Sequence, residues 1–134
     1  MELKNSYKGF VIWLIAFLAV MIGTVFLPIE DYELITRITY NIPAIFVSLL
    51  AFIILKTENV YWYNGISFEQ AVAAGSLRRR EYAGRHFKRF KIFSDVFLLF
   101  SIVAQSLGFS HWIDFAVLFG GIIAVAISTV KIEL

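Results

Sequence analysis

No residue between Phe10 and Leu27 carries a charge. As a helix this 18-residue run is about 27 Å long, close to the roughly 30 Å hydrocarbon core of a bilayer. Three more apolar stretches follow, at Ile38–Leu55, Ile92–Leu107 and Phe115–Val130. Composition agrees. The 134 residues are 60% hydrophobic and 16% charged, whereas soluble domains are nearer half apolar and a quarter charged. The pattern predicts an all-α, integral membrane four-helix bundle forming a single domain over 1–134. The spans are expected at about 10–27, 33–56, 92–108 and 111–130, with a basic loop over 57–91.

The first segment also invites reading as a signal peptide. Its apolar run exceeds the roughly 7–15 residues of a signal core, and no A-x-A-like site follows it, so a retained span is expected. Pro28 closes it. The acidic Ile29–Glu33 connection suits the start of the second helix, where acids meet the positive end of the dipole. Pro43 has two readings. In a helix starting near Tyr32 it is interior and should kink the span. In one starting near Ile42 it is a first-turn proline.

Asn64-Gly65 signals a turn. Ser67 and Gln70 match a capping box, which predicts a short helix through Ala74. Gly75-Ser76 can end it and cap the next. From Leu77 the chain reads as an interfacial amphipathic helix feeding the third span, with Ala83, Phe87, Phe90 and Phe93 on one face and Arg78, Arg85 and Arg89 on another. Short amphipathic helices are therefore expected in the loop between spans two and three.

The distribution of positive charge assigns sides. Eleven of the twelve lysines and arginines lie before span one, between spans two and three, or after span four; only Arg37 lies elsewhere. By the positive-inside rule, both termini and the middle loop are expected in the cytoplasm. A bacterial plasma membrane is the expected location.

Three sets of residues are candidates for function. Arg78, Arg79, Arg80, Arg85, Lys88 and Arg89 could hold anionic lipid headgroups or an acidic partner; the alternative is a purely topological role. The patch is short and has no nucleic-acid motif beside it, so no nucleic acid is expected. Asn41, Gln105, His111 and Asp114 could line a polar path from the outer face, the alternative being capping and interhelical hydrogen bonds. Asp95, one turn inside span three, could join that path or simply pair with Lys91. Small residues that let helices approach recur in every span. In span four, Ala116, Gly120, Ala124 and Ser128 fall four apart, fitting either packing within the bundle or a homodimer.

Known chemistry is hard to find. The chain has no cysteine, hence no thiol catalysis or thiolate metal site. No G-x-S-x-G, H-E-x-x-H or P-loop occurs. No catalytic residue, metal or other cofactor is expected.

Tyr63-Asn64-Gly65-Ile66-Ser67-Phe68-Glu69, followed by Tyr82 and Phe87 to Phe90, resembles a class of small bacterial multi-span membrane proteins of unknown function. There a tyrosine–asparagine turn, a serine-capped helix, a tyrosine and an aromatic-basic entry follow a span. The resemblance covers about Trp62–Phe93, and the segment Ala71 to Ser76 departs from it. It implies a membrane protein and carries over no site residues. The leading expectation is a small non-enzymatic accessory or regulatory membrane protein with a basic cytoplasmic contact surface. A homo-oligomeric transporter or channel comes second, and an enzyme at the headgroup layer, near Asp95, His86 and Arg89, third.

Overall fold

The computed structural model describes residues 2–63 and 65–134. Asn64 of the expected Asn64-Gly65 turn lies outside them. The described residues form four α-helices and no strand: α1 Lys8–Gly23, α2 Tyr32–Thr57, α3 Phe68–Ser106 and α4 His111–Thr129. Short 3-10 turns at Thr24–Phe26 and Val60–Trp62 follow α1 and α2.

Asp31 starts α2. Its carboxylate accepts the Leu34 N–H at 3.1 Å, and Glu33 sits in the first turn. The helix therefore begins at Tyr32, and Pro43 is interior. Proline has no N–H to offer the carbonyl of Thr39. The capping box of α3 is complete: Ser67 N–H donates to Gln70 Oε1 at 2.8 Å, and Gln70 N–H to Ser67 Oγ at 3.1 Å.

The expected loop 57–91 is mostly helix. Gly75, at φ 76°, is a non-helical joint inside α3. That backbone region suits glycine, which has no Cβ to clash there. Beyond it the helix runs unbroken to Ser106, so the basic stretch and the apolar stretch share one axis. The expected interfacial helix is replaced by an extension that packs on protein. Arg79, Tyr82, Ala83 and His86 form its buried face, in place of the expected Ala83–Phe87–Phe90–Phe93 face, on which only Ala83 is fully buried. Ser76 does not cap the second part, because its hydroxyl donates to Glu58.

Three helical segments are long and apolar enough to cross a membrane: Lys8–Phe26, Tyr32–Thr57 and His111–Thr129. α3 is not among them, since its apolar part starts only after Lys91 and carries Asp95. It nevertheless runs antiparallel to α2 along most of its length. Gln105 meets Arg37, Ser101 meets Asn41, Phe87 meets Phe52, and Gly84 lies beside Leu55.

α4 lies against the α2–α3 pair, where Ala44, Phe97 and Leu118 form a small core with Tyr40, Phe93 and Ile122 around it. α1 packs chiefly along α2 rather than entering the bundle, and none of its residues is buried. Its anchor is the Trp13 indole N–H, which donates to the Phe46 carbonyl at 2.9 Å. The four-helix bundle expected from sequence is thus three mutually packed helices with a fourth on their flank. A second core, built on Ile54, Val60, Tyr61, Ala71, Tyr82, Ala83 and Ile132, closes one end, with Leu3 and Leu134 packed against it. Residues before α1 and after α4 therefore gather at the same end as the segment 58–83.

On α4 the inward face is His111, Asp114 and Leu118, continued by Gly121. Ala116, Gly120 and Ala124 face outward and Ser128 is half-buried, so the small-residue stripe is not what packs this helix within the chain. A Cβ on Gly121 would come within 2.1 Å of the Phe93 ring, whereas one on Gly120 would meet nothing within 4 Å. Gly121→Ala should therefore lower stability by roughly 1–3 kcal/mol through overpacking. Gly120→Ala should be neutral or stabilise by up to about 1 kcal/mol through helix propensity. Thermal unfolding of the two variants in one detergent checks this.

Candidate functional site

The polar residues fall into two buried clusters, one at each end of the α2–α3 pair.

The first joins residues from three helices. Asp114, on the first turn of α4, is 0% exposed, and Arg37, on the second turn of α2, is 3% exposed. Arg37 Nε donates to Asp114 Oδ1 at 3.1 Å and Nη1 to Gln105 Oε1 at 2.6 Å, while Nη2 donates to the Phe109 carbonyl. Ser101 Oγ donates to the other Asp114 oxygen at 3.0 Å. Asn41 Nδ2 donates to the Arg37 carbonyl at 2.9 Å and to Ser101 Oγ at 3.0 Å. Alongside, Glu33 receives both the His111 backbone N–H at 2.8 Å and the imidazole Nδ1 at 3.0 Å. A carboxylate from α2 thus caps the N-terminus of α4. Gln105 Nε2 also reaches the capping Asp31 at 3.4 Å.

Of the expected polar path, Asn41, Gln105 and Asp114 do come together, with His111 beside them. Asp95 does not join: it pairs with Lys91 at 2.6 Å on the exposed side of α3. The central cation, Arg37, was missed as a site residue. What assembles is a closed knot in which both oxygens of Asp114 are engaged. One buried atom is left over, since Asn41 Oδ1 has no hydrogen-bond partner.

The second cluster lies at the other end. Glu58 terminates α2 with φ 60°, the one left-handed non-glycine residue among those described. That conformation costs roughly 1–2 kcal/mol. It turns a buried carboxylate towards Arg79, which donates from Nη2 at 2.8 Å and Nε at 3.1 Å, while Ser76 Oγ donates at 2.7 Å. Arg79 Nη1 also closes the short helix by donating to the Ala71 carbonyl at 3.1 Å. Burial pushes the Glu58 carboxyl up, but the Ser76 and Arg79 hydrogen bonds outweigh it and hold it below the usual carboxylate range.

Next to this cluster His86 is buried between two tyrosine rings, with centroids 4.4 Å from Tyr63 and 4.3 Å from Tyr82. Burial lowers its pKa, the Tyr82 carbonyl opposes in part, and Arg89 adds to the lowering. Burial also pushes the Tyr63 hydroxyl above the ordinary tyrosine range.

The six basic candidates have different surroundings. Arg79 is buried on Glu58, and Arg89 donates to the Ser128 carbonyl at the end of α4. Arg85 pairs with Glu81, and Arg80 stands 3.8 Å from Glu58. Among the described residues, Arg78 and Lys88 have no ion-pair partner. His86, Arg89 and Asp95 point to three different partners and form no common site. Among the described residues, no group of three or more His, Asp or Glu side chains is placed to hold a metal. Comparison with protein-family models, curated proteins and solved structures returned no match.

Removing one member of the Arg37–Asp114 pair leaves a buried charge uncompensated. Arg37→Met should cost about 3–5 kcal/mol. The double variant with Asp114→Leu should recover most of that loss, as chemical unfolding of the three proteins would show.

Acid should act in two windows. Glu58 and His86 both have folded pKa values below their unfolded ones, so each lends stability that is complete above its ordinary value and lost as pH falls through the folded value. The His86 loss begins near its ordinary 6.5 and the Glu58 loss near its ordinary 4.5. His86→Phe should flatten the upper window and Glu58→Gln the lower one, read as melting temperature against pH.

Proposed function

We propose that this chain is a small, non-enzymatic accessory or regulatory integral membrane protein whose basic cytoplasmic face holds anionic lipid headgroups. The observation that carries this reading is the fate of the basic residues. After the internal pairings, Arg78, Arg80, Arg85 and Lys88 still project outward, on a helix whose other face is already committed to protein. Arg78 and Lys88 are in no ion pair among the described residues, and Arg80 and Arg85 stay exposed beside Glu58 and Glu81, so a largely cationic surface is left at one end of the bundle.

Membrane insertion is supported by the apolar side chains that α1 and α4 leave uncovered, among them Ile15, Ile22, Phe119 and Ile127. Packing supports a fourth span: the apolar part of α3, from Ile92 on, lies along α2 as far as Gln105. Lys88 and Lys91 can reach the headgroups by extending their stems along apolar surface. Both ends of the chain sit with the basic segment, which supports a cytoplasmic side for all three. The single cation at the opposite end, Arg37, is buried and paired.

The transporter reading draws on Asn41, Gln105 and Asp114, which do assemble. Their closure around Arg37 supports a structural knot instead. In proteoliposomes, Asp114→Asn would then affect stability rather than any solute flux. The headgroup enzyme loses the grouping of Asp95, His86 and Arg89 on which it rested.

The test is melting temperature in neutral detergent with added phosphatidylglycerol or phosphatidylcholine. Phosphatidylglycerol should stabilise the wild type more, and less so at high salt. Changing Arg78, Arg80, Arg85 and Lys88 together to glutamine should remove most of the difference, each contributing about 1 kcal/mol. An undiminished phosphatidylglycerol effect in that variant would refute the reading.

A further inference from the structure

The seam between α2 and α3 holds two hollows that no residue of α1 or α4 lines. The first, of about 430 Å³, has Ile42, Ile45, Leu98 and Ile102 among its walls. Ile45 and Leu98 also line the second, of about 300 Å³, which runs on past Leu49 and Phe52 to Lys91, Ser94 and Asp95. There Phe52 meets Phe87, with centroids 5.5 Å apart, and the Lys56 ammonium stands 5.4 Å over the Phe52 ring. The seam is thus an apolar trough whose mouth carries charges of both signs.

The groups at this mouth are layered along the helix axis. Lys91 is outermost. Ser94 follows three residues, or about 4.5 Å, deeper, and beyond it the walls are apolar. Asp95 belongs with the outer layer, because helical side chains lean towards the helix N-terminus, and its Oδ2 lies 2.6 Å from Lys91 Nζ. Both side chains are more than half exposed, so this pair is weakly held and can be shared with a ligand. Lys91 keeps two further N–H donors and Asp95 a second oxygen. Ser94 is an independent sign of a ligand. It is 6% exposed and lines the hollow, yet among the described residues its hydroxyl has no hydrogen-bond partner. Unlike Asn41 Oδ1, its oxygen is not sealed from outside.

We propose that this end of the seam binds a phospholipid whose head ends in a primary ammonium, the chemistry of phosphatidylethanolamine. The phosphate pairs with Lys91, with Lys56 as a second cation at the rim. The Ser94 hydroxyl donates to an ester carbonyl below the phosphate, the ammonium donates to Asp95, and one acyl chain lies along Leu49, Ile45 and Leu98. The mixed charge of the mouth sets the preference. A choline head has no N–H to give Asp95, and a purely anionic head leaves that carboxylate facing a phosphate. Half of the hydrocarbon core is about 15 Å, or roughly ten helical residues. A chain starting at Lys91 therefore ends between Leu98 and Ile102, short of Gln105 and the guanidinium of Arg37. The proposal rests on membrane insertion but not on the outward-facing arginines.

The experiment uses the full chain in phosphatidylcholine nanodiscs with trace phospholipids that carry a diazirine in one acyl chain and an ethanolamine, choline or glycerol head. The ethanolamine probe should label the seam around Ile45 and Leu98 about fivefold more than either other probe, the factor expected of one hydrogen bond. Asp95→Asn should lower it to the choline level while the melting temperature stays near that of the wild type, since the Lys91 pair is exposed. Leu98→Trp, which fills the hollow, should reduce seam labelling by all three. Changing Arg78, Arg80 and Arg85 together to glutamine should leave the preference intact. Equal labelling by the ethanolamine and choline probes would overturn the proposal, as would stronger labelling by the glycerol probe or an undiminished preference in Asp95→Asn. A chain that does not enter nanodiscs overturns the membrane reading together with it. A chain that enters and shows no ethanolamine preference overturns the seam site alone.

Discussion

A carboxylate with no exposed surface sits at the start of α4, and the arrangement of that end of the bundle follows from it. Asp114 needs a cation, and Arg37 supplies one from α2. Arg37 in turn needs acceptors for its remaining nitrogens, which Gln105 on α3 and the Phe109 carbonyl before α4 provide. Satisfying one buried charge therefore fixes three helices and a turn relative to one another. The rest of their interface has little else for this purpose, since its core is Ala44, Phe97 and Leu118. Inside a membrane, where apolar contact with a neighbour gains little over contact with lipid, polar knots and close small-residue contacts are what carry the specificity of helix packing.

The other end repeats the device with different parts. Glu58 and Arg79 are both buried, and the left-handed turn at Glu58 exists to bring them together. Gly75 then lets the chain change direction, so that the short capped helix folds back over Arg79 through the Ala71 carbonyl. The described residues of 58–83 thus form a packed cap on the bundle.

Much of this is legible in the sequence, and the missed ion pairs share one cause. The apolar runs, the Ser67 box and the Asp31 start are local signals, readable from a few neighbouring residues. The ion pairs join residues 77 and 21 positions apart, and nothing local announces them. A weaker signal existed. On α2 the spacing Arg37, Asn41, Ala44, Ala51 is one inward stripe, so the small residues that mark the contact face point back to Arg37. On α3 the stripe Ser94, Phe97, Ser101, Ala104 extends backwards through His86, Tyr82 and Arg79. Among three consecutive arginines only Arg79 falls on it. Counting charge by side hid this, because such a count treats every arginine as solvated. The small stripe of α4 was open to packing within the chain or to a homodimer, and within the chain the helix packs by His111, Asp114, Leu118 and Gly121 instead, because small residues permit a contact without requiring one.

A buried ion pair near one end of α3 and a hydrogen bond from Arg37 near its other end also bear on motion. From Ser76 to Ser106, α3 has no joint. Sliding it along α2 by one residue, about 1.5 Å, would break both Arg79–Glu58 and the Gln105–Arg37 contact together. Opening even one buried ion pair costs about 3–5 kcal/mol, which keeps the shifted state below roughly one molecule in a hundred. A transporter must populate two arrangements of its helices around a site, and a helix pinned at both ends resists that.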